Sequence, residues 1–184
     1  MPLIYLNVIF FNRLSIGLKD ALYIKKSMYS VYMRISIFQP DIPQNLGALL
    51  RVSACLNVPL DIIEPCGFAF SEKKLRRTAM DYISQADFRT FIDYQAFKEQ
   101  QQKERPSSRV ILLTTKSSKN YLDFKFRKND RLLLGRESAG VPEYVHETVD
   151  DAVTIEMPGK GRSLNVVVSC VMVLSEAMRQ TRDL

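Results

Sequence analysis

Beyond residue 33, short apolar runs alternate regularly with longer segments of mixed polarity. Runs of four or five residues rich in Ile, Leu and Val are typical of buried strands, whereas the longer segments are typical of helices. Strands that alternate with helices favour an α/β fold with a mostly parallel sheet covered by helices. The predicted strands are residues 34–38, 60–63, 88–92, 110–113, 131–134 and 152–155, and the predicted helices are residues 46–56, 94–103 and 164–179, with a short basic helix after residue 70.

Turn residues add a feature near the end of the chain. The apolar run 131–134 stops at Gly135, and the segment that begins at Ile155 passes through Gly159 and Gly161. Glycine permits a positive φ or a close approach of the backbone to another group. We expect two strand ends to lie side by side here and to form a pocket lined by backbone N–H and C=O groups.

Composition limits the classes of site that are possible. The chain has 184 residues, 46% of them hydrophobic and 25% charged, which is enough for one well-buried core. Cys55, Cys66 and Cys170 are widely spaced, lie in apolar contexts and form no CxxC pair. We interpret them as reduced core residues of a cytosolic protein, not as a disulfide framework or a zinc site. His146 is the only histidine and is predicted on a helix surface, so no metal is expected.

The formal charge is +6, and the densest basic cluster follows Phe68 and Phe70. A run of charges is usually a solvated helix face, but aromatic residues beside cations also suit a surface that contacts RNA. Both interpretations stay open at this level. The cluster consists of Lys73, Lys74, Arg76 and Arg77.

Residues 1–33 differ in character from the rest of the chain. Their apolar run, residues 3–11, is far shorter than the roughly 20 residues needed to span a bilayer. The basic residues follow this run, unlike those of a signal peptide, although the low acid content leaves a mitochondrial-type presequence open. We interpret residues 1–33 as a leader extension that is dispensable or disordered. Residues 34–184 are predicted to form a single domain without membrane attachment.

Three separated motifs indicate the chemistry of the protein. Residues 45–51 read N-x-G-x-x-x-R, residues 135–142 read G-x-E-x-x-G-V-P, and residues 155–165 contain I-x-M followed by S-L-N. Any one of these motifs would be weak alone. Together and in this order they resemble the three motifs of the SPOUT-superfamily RNA 2′-O-ribose methyltransferases, and the resemblance extends over residues 34–181.

Within that superfamily the sequence is similar to the small, single-domain TrmL type, which methylates the ribose of the wobble nucleotide, position 34, of tRNA. The segments 39–45, 63–68, 75–77, 81–82 and 113–116 carry this similarity. It implies tRNA, in particular the leucine isoacceptors, as the substrate and the cytoplasm as the location. Two positions depart from the subgroup pattern and concern the tRNA contacts: Ser175 stands where Tyr is usual, and Ile83 where His or Trp is frequent.

The resemblance implies a SPOUT-type α/β fold whose C-terminal segment forms a trefoil knot, one of the rare exceptions to the rule against knots. It also implies a homodimer and a bent S-adenosylmethionine held among three loops. The family assigns Arg51 to the ribose 2′-hydroxyl, and Asn45 is the second predicted catalytic residue. Because arginine stays protonated near neutral pH, we expect Arg51 to orient the hydroxyl or a phosphate and not to act as a base.

The other predicted site residues form three groups. The cofactor-binding residues are Leu113, Gly135, Ile155, Ser163, Leu164 and Asn165; the RNA-binding residues are Lys73, Lys74, Arg76, Arg77 and Arg162; and the structural residues are Gly47 and Glu137, with Glu137 pairing Arg51 within or between subunits.

Each motif residue also has an ordinary interpretation when it is taken alone. Asn45 and Asn165 are suitable helix caps, Ser163 is a suitable capping serine, and Gly135 and Gly140 are suitable turn residues. Two other functions also stay open at this level. One is an rRNA 2′-O-methyltransferase of the same superfamily, and the other is a non-catalytic RNA-binding protein that retains the knot.

Overall fold

The computed structural model describes residues 33–69, 80–104 and 106–181. Two predictions lie outside these residues: the leader extension, apart from Met33, and the basic helix with Lys73, Lys74, Arg76 and Arg77. The described residues belong to one compact unit, Val31–Leu184. None of the helices in this part of the protein is long and apolar enough to cross a membrane.

The described strands are β1 (Arg34–Phe38), β2 (Leu60–Ile63), β3 (Phe88–Phe91), β4 (Val110–Leu113), β5 (Arg131–Leu134) and β6 (Asp151–Val153). They form one sheet in the order β3-β2-β1-β5-β4-β6, and every neighbouring pair is parallel. The prediction of a mostly parallel sheet is therefore confirmed. β6 is shorter than predicted, because Thr154 makes only a single bridge, to Asn120, before the backbone leaves the sheet.

The described helices are α1 (Pro43–Leu56), α2 (Tyr94–Glu104), α3 (Glu143–Thr148) and α4 (Val166–Thr181), with a 3-10 helix at Met80–Ser84. α1 begins earlier than predicted because Pro43 occupies its first turn, where the missing N–H costs nothing. Ile42 is the cap residue, so the prediction that Asn45 caps this helix is wrong. α4 begins and ends two residues later than predicted. The interpretation of Asn165 as a helix cap is confirmed, because Asn165 Oδ1 accepts hydrogen bonds from the backbone N–H groups of Val167 and Val168 over 2.8 and 3.4 Å.

The helices cover both faces of the sheet. α1 and α4 pack on one face, and α2 and α3 pack on the other. Side chains of a strand point alternately to the two faces, so neighbours such as Leu133 and Leu134 belong to different clusters. The α1/α4 cluster includes Ile37, Leu46, Leu50, Leu134, Cys170 and Leu174, and the α2/α3 cluster includes Phe38, Phe97, Leu112, Leu133 and Val145.

The three cysteines differ in burial. Cys170 is a core residue, and burial raises the pKa of its thiol to about 12. Cys66 is half-buried, and burial, with the nearby Glu64 carboxylate, raises the pKa of its thiol to about 11. Cys55 is exposed, so its prediction as a core residue is wrong. The buried face of α1 carries residues from Leu46 to Ser53, and position 55 falls outside it.

At the amino ends of the strands, a buried carboxylate is surrounded by arginines. The side chain of Asp61 is fully buried and accepts hydrogen bonds from Arg34 Nη2 and Arg89 Nε, each over 2.7 Å. Arg131 Nη1 lies 3.1 Å from the other carboxylate oxygen of Asp61. Arg89 Nη1 also donates to Glu104 Oε1 over 2.6 Å, and this hydrogen bond is the main reason that the pKa of Glu104 falls to about 2. We call the end of the sheet where the strands begin its amino edge, and the end where they finish its carboxyl edge.

Candidate functional site

The carboxyl ends of the strands open into a cavity of about 500 Å³. The segments that follow β4, β5 and β6 form its walls, and Ile42 and Asn45 contribute from the start of α1. Crevices at the carboxyl ends of parallel strands are the usual ligand sites of such sheets. The lining contains all six residues predicted to bind the cofactor: Leu113, Gly135, Ile155, Ser163, Leu164 and Asn165.

Two glycines shape the wall that follows β5. A Cβ atom at Gly135 would lie 2.7 Å from the carbonyl carbon and the Cα atom of Gly140, so no larger residue fits there without a shift of the backbone. Gly140 has a φ of 70°, a conformation that costs other residues energy. Arg136 and Gly140 also bond to each other through two backbone hydrogen bonds, of 3.0 and 2.9 Å. The close approach and the positive φ that were expected of these glycines therefore occur together in one tight turn.

A series of side-chain hydrogen bonds joins the three sequence motifs. Asn165 Nδ2 donates to Asn45 Oδ1 over 3.0 Å, and Asn45 Nδ2 donates to Glu137 Oε1 over 2.8 Å. The bonded residues are 120 and 92 positions apart in the sequence. We call Asn45, Glu137 and Asn165 the motif network. It fixes the start of α1, the turn after β5 and the start of α4 relative to one another.

Asp41 extends the motif network to a further loop. Glu137 Oε2 accepts the backbone N–H of Asp41 over 2.8 Å, while Asp41 Oδ2 accepts the backbone N–H and the hydroxyl of Ser138. Gly67 donates its N–H to Pro40 O over 2.9 Å, and a Cβ atom there would lie 2.8 Å from Asp41 Oδ1. The loop after β2 is therefore packed directly on the loop after β1.

The predicted catalytic arginine lies apart from the cavity. Arg51 is exposed on α1 and is not part of the lining, and a separation of six residues places it about 9 Å along the helix axis from Asn45. Its guanidinium lies over the ring of Tyr82, 4.8 Å from the ring centroid. Within the described residues, Glu137 bonds to Asn45 and Asp41, so a pair between Glu137 and Arg51 of the same subunit is not formed.

Two further predicted residues are placed by the structure. Gly47 is buried on α1, and its structural role stays a prediction. Arg162 is exposed and lies outside the cavity lining, so its contact with RNA stays a prediction.

The cavity also contains residues that the sequence patterns did not select. His146, predicted on a helix surface, is in fact half-buried on α3 and lines the cavity together with Thr114 and Arg136. Arg136 Nη2 donates to Gln39 Oε1, and Gln39 has a φ of 45°, which is unusual for a residue other than glycine. Arg136 Nε is buried and has no hydrogen-bond partner among the described residues. Arg136 could have been predicted in the cavity, because it lies between the two motif residues Gly135 and Glu137.

Comparison with known proteins agrees with this geometry. The tRNA (cytidine(34)-2′-O)-methyltransferase of Beijerinckia indica is 49% identical to the protein over 146 residues, which cover 79% of this sequence and 90% of that relative. A solved structure described as "Structural insights into the 2-OH methylation of C/U34 on tRNA" has a TM-score of 0.74 and 36% identity, covering 80% of this protein and 95% of the other.

A more distant structure shares the fold. It is the SpoU methyltransferase AviRb from Streptomyces viridochromogenes in complex with the cofactor AdoMet, with a TM-score of 0.70, 20% identity, and coverage of 79% of this protein and 56% of the other. Residues 32–175 match the sequence model of the SpoU rRNA Methylase family. The three motifs also meet around one cavity. Because of the family match and the 49% identical relative, the protein belongs to the SpoU rRNA Methylase family.

Proposed function

We propose that the protein transfers a methyl group from S-adenosylmethionine to the ribose 2′-hydroxyl of the wobble nucleotide, position 34, of tRNA, with leucine isoacceptors as substrates in the cytoplasm. The observation that carries this proposal is the meeting of three separated motifs around one cavity through the motif network. The activity named for the Beijerinckia indica relative supports the choice of nucleotide.

The cavity residues fit S-adenosylmethionine in size, polarity and charge. A volume of about 500 Å³ lies within the range of roughly 300–1,000 Å³ that is usual for small-molecule sites. Leu113 and Ile155 offer an apolar surface for an adenine ring, and the backbone around Gly135 offers N–H and C=O groups to its edge. Arg136 Nε, a buried donor without a partner among the described residues, suits the carboxylate of the methionine part.

Methyl transfer requires the protein to align the two reactants more than to activate them. When bound, the sulfonium group supplies a methyl that is already activated, so the protein has to place the ribose hydroxyl in line with it. Arg51 offers five N–H donors and a fixed positive charge, which orient the hydroxyl or a phosphate and stabilise the negative charge that develops on oxygen. Asn45, held by Glu137 and Asn165, fixes the start of the helix that carries Arg51.

We also propose a homodimer, because the cavity and Arg51 of one subunit do not meet. Apolar side chains beside the cavity are unusually exposed: Ile42 is 41% exposed, Leu164 is 42% exposed and Val168 is 48% exposed. A second copy packed over this patch would bury it, as isologous interfaces do, and would bring Arg51 of one subunit to the cavity of the other. Glu137 and Arg51 of different subunits would then lie near each other, as the cross-subunit form of that prediction requires.

We further propose that residues 34–184 form a single SPOUT domain whose C-terminal segment is knotted. The connection between β4 and β5 is bonded to that segment at two places. Thr154 N donates to Lys119 O over 2.8 Å, and Gln180 Nε2 donates to Phe124 O over 2.9 Å. A closed connection around the segment that leads to α4 would produce the trefoil knot of the superfamily. The contacts of Lys73, Lys74, Arg76, Arg77 and Arg162 with RNA belong to this proposal as well.

The proposal is tested by replacing Arg51 with Ala. Wild-type protein is incubated with methyl-labelled S-adenosylmethionine and total tRNA, and cofactor binding is measured by calorimetry in parallel. We expect Arg51→Ala to lower methyl transfer by at least about a hundredfold, since a transition-state donor is worth this much or more, with cofactor affinity nearly unchanged. Unchanged turnover of the variant would refute the role of Arg51, and an inactive wild type that binds the cofactor and RNA would favour a non-catalytic RNA-binding protein.

A further inference from the structure

The guanidinium of Arg51 rests on an aromatic ring instead of a carboxylate. It lies 4.8 Å from the centroid of the Tyr82 ring, within the distance of about 6 Å at which a cation and a ring face attract each other. Arg51 makes no ion pair or hydrogen bond with any other residue that the structure describes. Its N–H groups are therefore not used by the described part of its own subunit.

Other arginines of the described residues show the alternative. Arg34, Arg89 and Arg131 share the carboxylate of Asp61, and Arg109 pairs with Asp130 over 2.7 Å. Arg89, Arg109 and Arg131 also lie over aromatic rings, but carboxylates bind some of their donors and neutralise part of their charge. Arg51 is stacked on a ring and has no carboxylate partner among the described residues, so its donor edge stays open. The second arrangement is the one that an arginine needs if it must bind an incoming oxygen atom.

The ring of Tyr82 is itself held by packed structure. Ile83, the next residue, is only 7% exposed and belongs to the same core cluster as Leu46 and Leu50 of α1. The carbonyl oxygen of Tyr82 accepts hydrogen bonds from the backbone N–H groups of Gln85 and Ala86 over 3.0 and 2.8 Å. The 3-10 helix is thus fixed to α1, and Tyr82 has a defined position beside Arg51. An apolar Ile83, where the subgroup often has His or Trp, suits this buried anchor.

We propose that Tyr82 is a positioning residue for Arg51, and this inference rests on the proposed function. A free arginine side chain has many rotamers, and ordering it at each turnover costs conformational entropy. The Tyr82 ring removes much of that cost before RNA arrives, because it restricts the guanidinium to one plane. Tyr82 therefore acts on turnover through Arg51 without contact to the reacting atoms.

The test compares three variants in the same methyl-transfer assay. We expect Tyr82→Leu, which removes the ring, to lower kcat by about tenfold, in the range that a cation–π contact supports, with little change in the KM for tRNA or the Kd for S-adenosylmethionine. Tyr82→Phe keeps the ring face and restores most of the turnover. Phe124→Leu is the matched control, because it removes a stack at a comparable distance, Arg109 over Phe124 at 5.2 Å, beside the start of β4. It is expected to lower the Tm but not kcat.

A double-mutant cycle separates positioning from a general loss of structure. In single-turnover reactions of an Arg51→Lys background, which keeps the charge but lacks the planar group, Tyr82→Leu should cost less than about twofold further. The inference is overturned if Tyr82→Leu costs the same in both backgrounds, if Tyr82→Phe is as slow as Tyr82→Leu, or if the whole loss appears in the KM for tRNA. Failure of the proposed function is distinguishable, since the wild type itself would then transfer no methyl group.

Discussion

The amino and carboxyl edges of the sheet are formed by the same strands but differ in structure. At the amino edge, Asp61 is fully buried and its oxygens are used by Arg34, Arg89 and Arg131. At the carboxyl edge, glycine turns surround a cavity of about 500 Å³, and the motif network bonds through neutral amides and one carboxylate, Glu137. The amino edge is closed by paired charge, whereas the carboxyl edge is held open by hydrogen bonds between distant segments.

The comparison shows how one fold separates stability from binding. Charges that are paired in the interior stabilise only as a complete set, so the amino edge tolerates little change. Both edges leave buried donors without a hydrogen-bond partner among the described residues: Arg89 Nη2, Arg131 Nε and Arg131 Nη2 at the amino edge, and Arg136 Nε at the carboxyl edge. Of these arginines, Arg136 lines the cavity, where a ligand can satisfy its donor. Damage to one edge should therefore spare the other.

The largest effect is expected at the amino edge. Asp61→Asn leaves three buried or half-buried arginines without their shared carboxylate, and loss of one partner of such a set costs about 3–5 kcal/mol of unfolding free energy. Urea unfolding measures this change. Cofactor affinity of the folded fraction should stay unchanged, and Asp123→Asn, at an exposed position, is the control. A weakened cofactor affinity with normal stability would contradict the separation of the two edges.

At the carboxyl edge, Gly135→Val should have the opposite profile. Its side chain would meet the backbone of Gly140 at 2.7 Å, so the turn that lines the cavity must move. We expect the affinity for S-adenosylmethionine in calorimetry to fall by about a hundredfold, equivalent to about 2.7 kcal/mol. Gly159→Ala is the matched control, because a Cβ atom there meets nothing within 4 Å. Normal cofactor binding by Gly135→Val would exclude this turn from the site.

A smaller effect is expected from Glu137→Gln, which keeps the shape of the side chain. Glu137 accepts hydrogen bonds at both oxygens, from Asn45 Nδ2 and from Asp41 N. An amide can accept at only one atom, so one charge-assisted bond is lost, worth about 1.5–3 kcal/mol at most. We expect cofactor affinity to fall by about tenfold, with a loss of unfolding free energy smaller than that of Asp61→Asn. A variant with wild-type affinity would show that the motif network does not shape the cavity.

The smallest effect is the pH dependence at the amino edge. The hydrogen bond from Arg89 lowers the pKa of Glu104 from 4.5 to about 2. A carboxyl group whose pKa is lowered by folding stabilises the protein above its unfolded pKa, and this stabilisation disappears as the pH falls from about 4.5 to 2. Glu104→Gln should therefore lose less stability than the wild type over this pH range. Parallel acid unfolding curves of the two proteins would contradict this assignment.

Much of the fold could be predicted from the sequence because buried strands have a local signature. The runs 110–113 and 131–134 are apolar throughout, apart from Arg131, as strands covered on both faces must be, and both are strands as predicted. Helix starts were harder to predict, since Asn45 has the chemistry of a cap but Pro43 begins the helix. Asn45 instead bonds to residues 92 and 120 positions away, and no local pattern contains such contacts.

The candidate site was predictable only as far as its motifs extend. The glycine turn 135–140 and the Ser-Leu-Asn segment 163–165 marked the cavity correctly. His146 was placed on a surface because a six-residue helix gives no periodicity from which to read its inner face. The stack of Arg51 on Tyr82 joins two segments that lie about thirty residues apart in the sequence, so it appears only once α1 and the 3-10 helix are packed together.

The most direct measurement is the location of the transferred methyl group. The protein is incubated with methyl-labelled S-adenosylmethionine and total RNA, and the labelled nucleotide is mapped by nuclease digestion and mass spectrometry. We predict label on the ribose of the wobble nucleotide of tRNA, absent in Arg51→Ala. Label on a base, label confined to rRNA, or no label with intact cofactor binding would contradict the account.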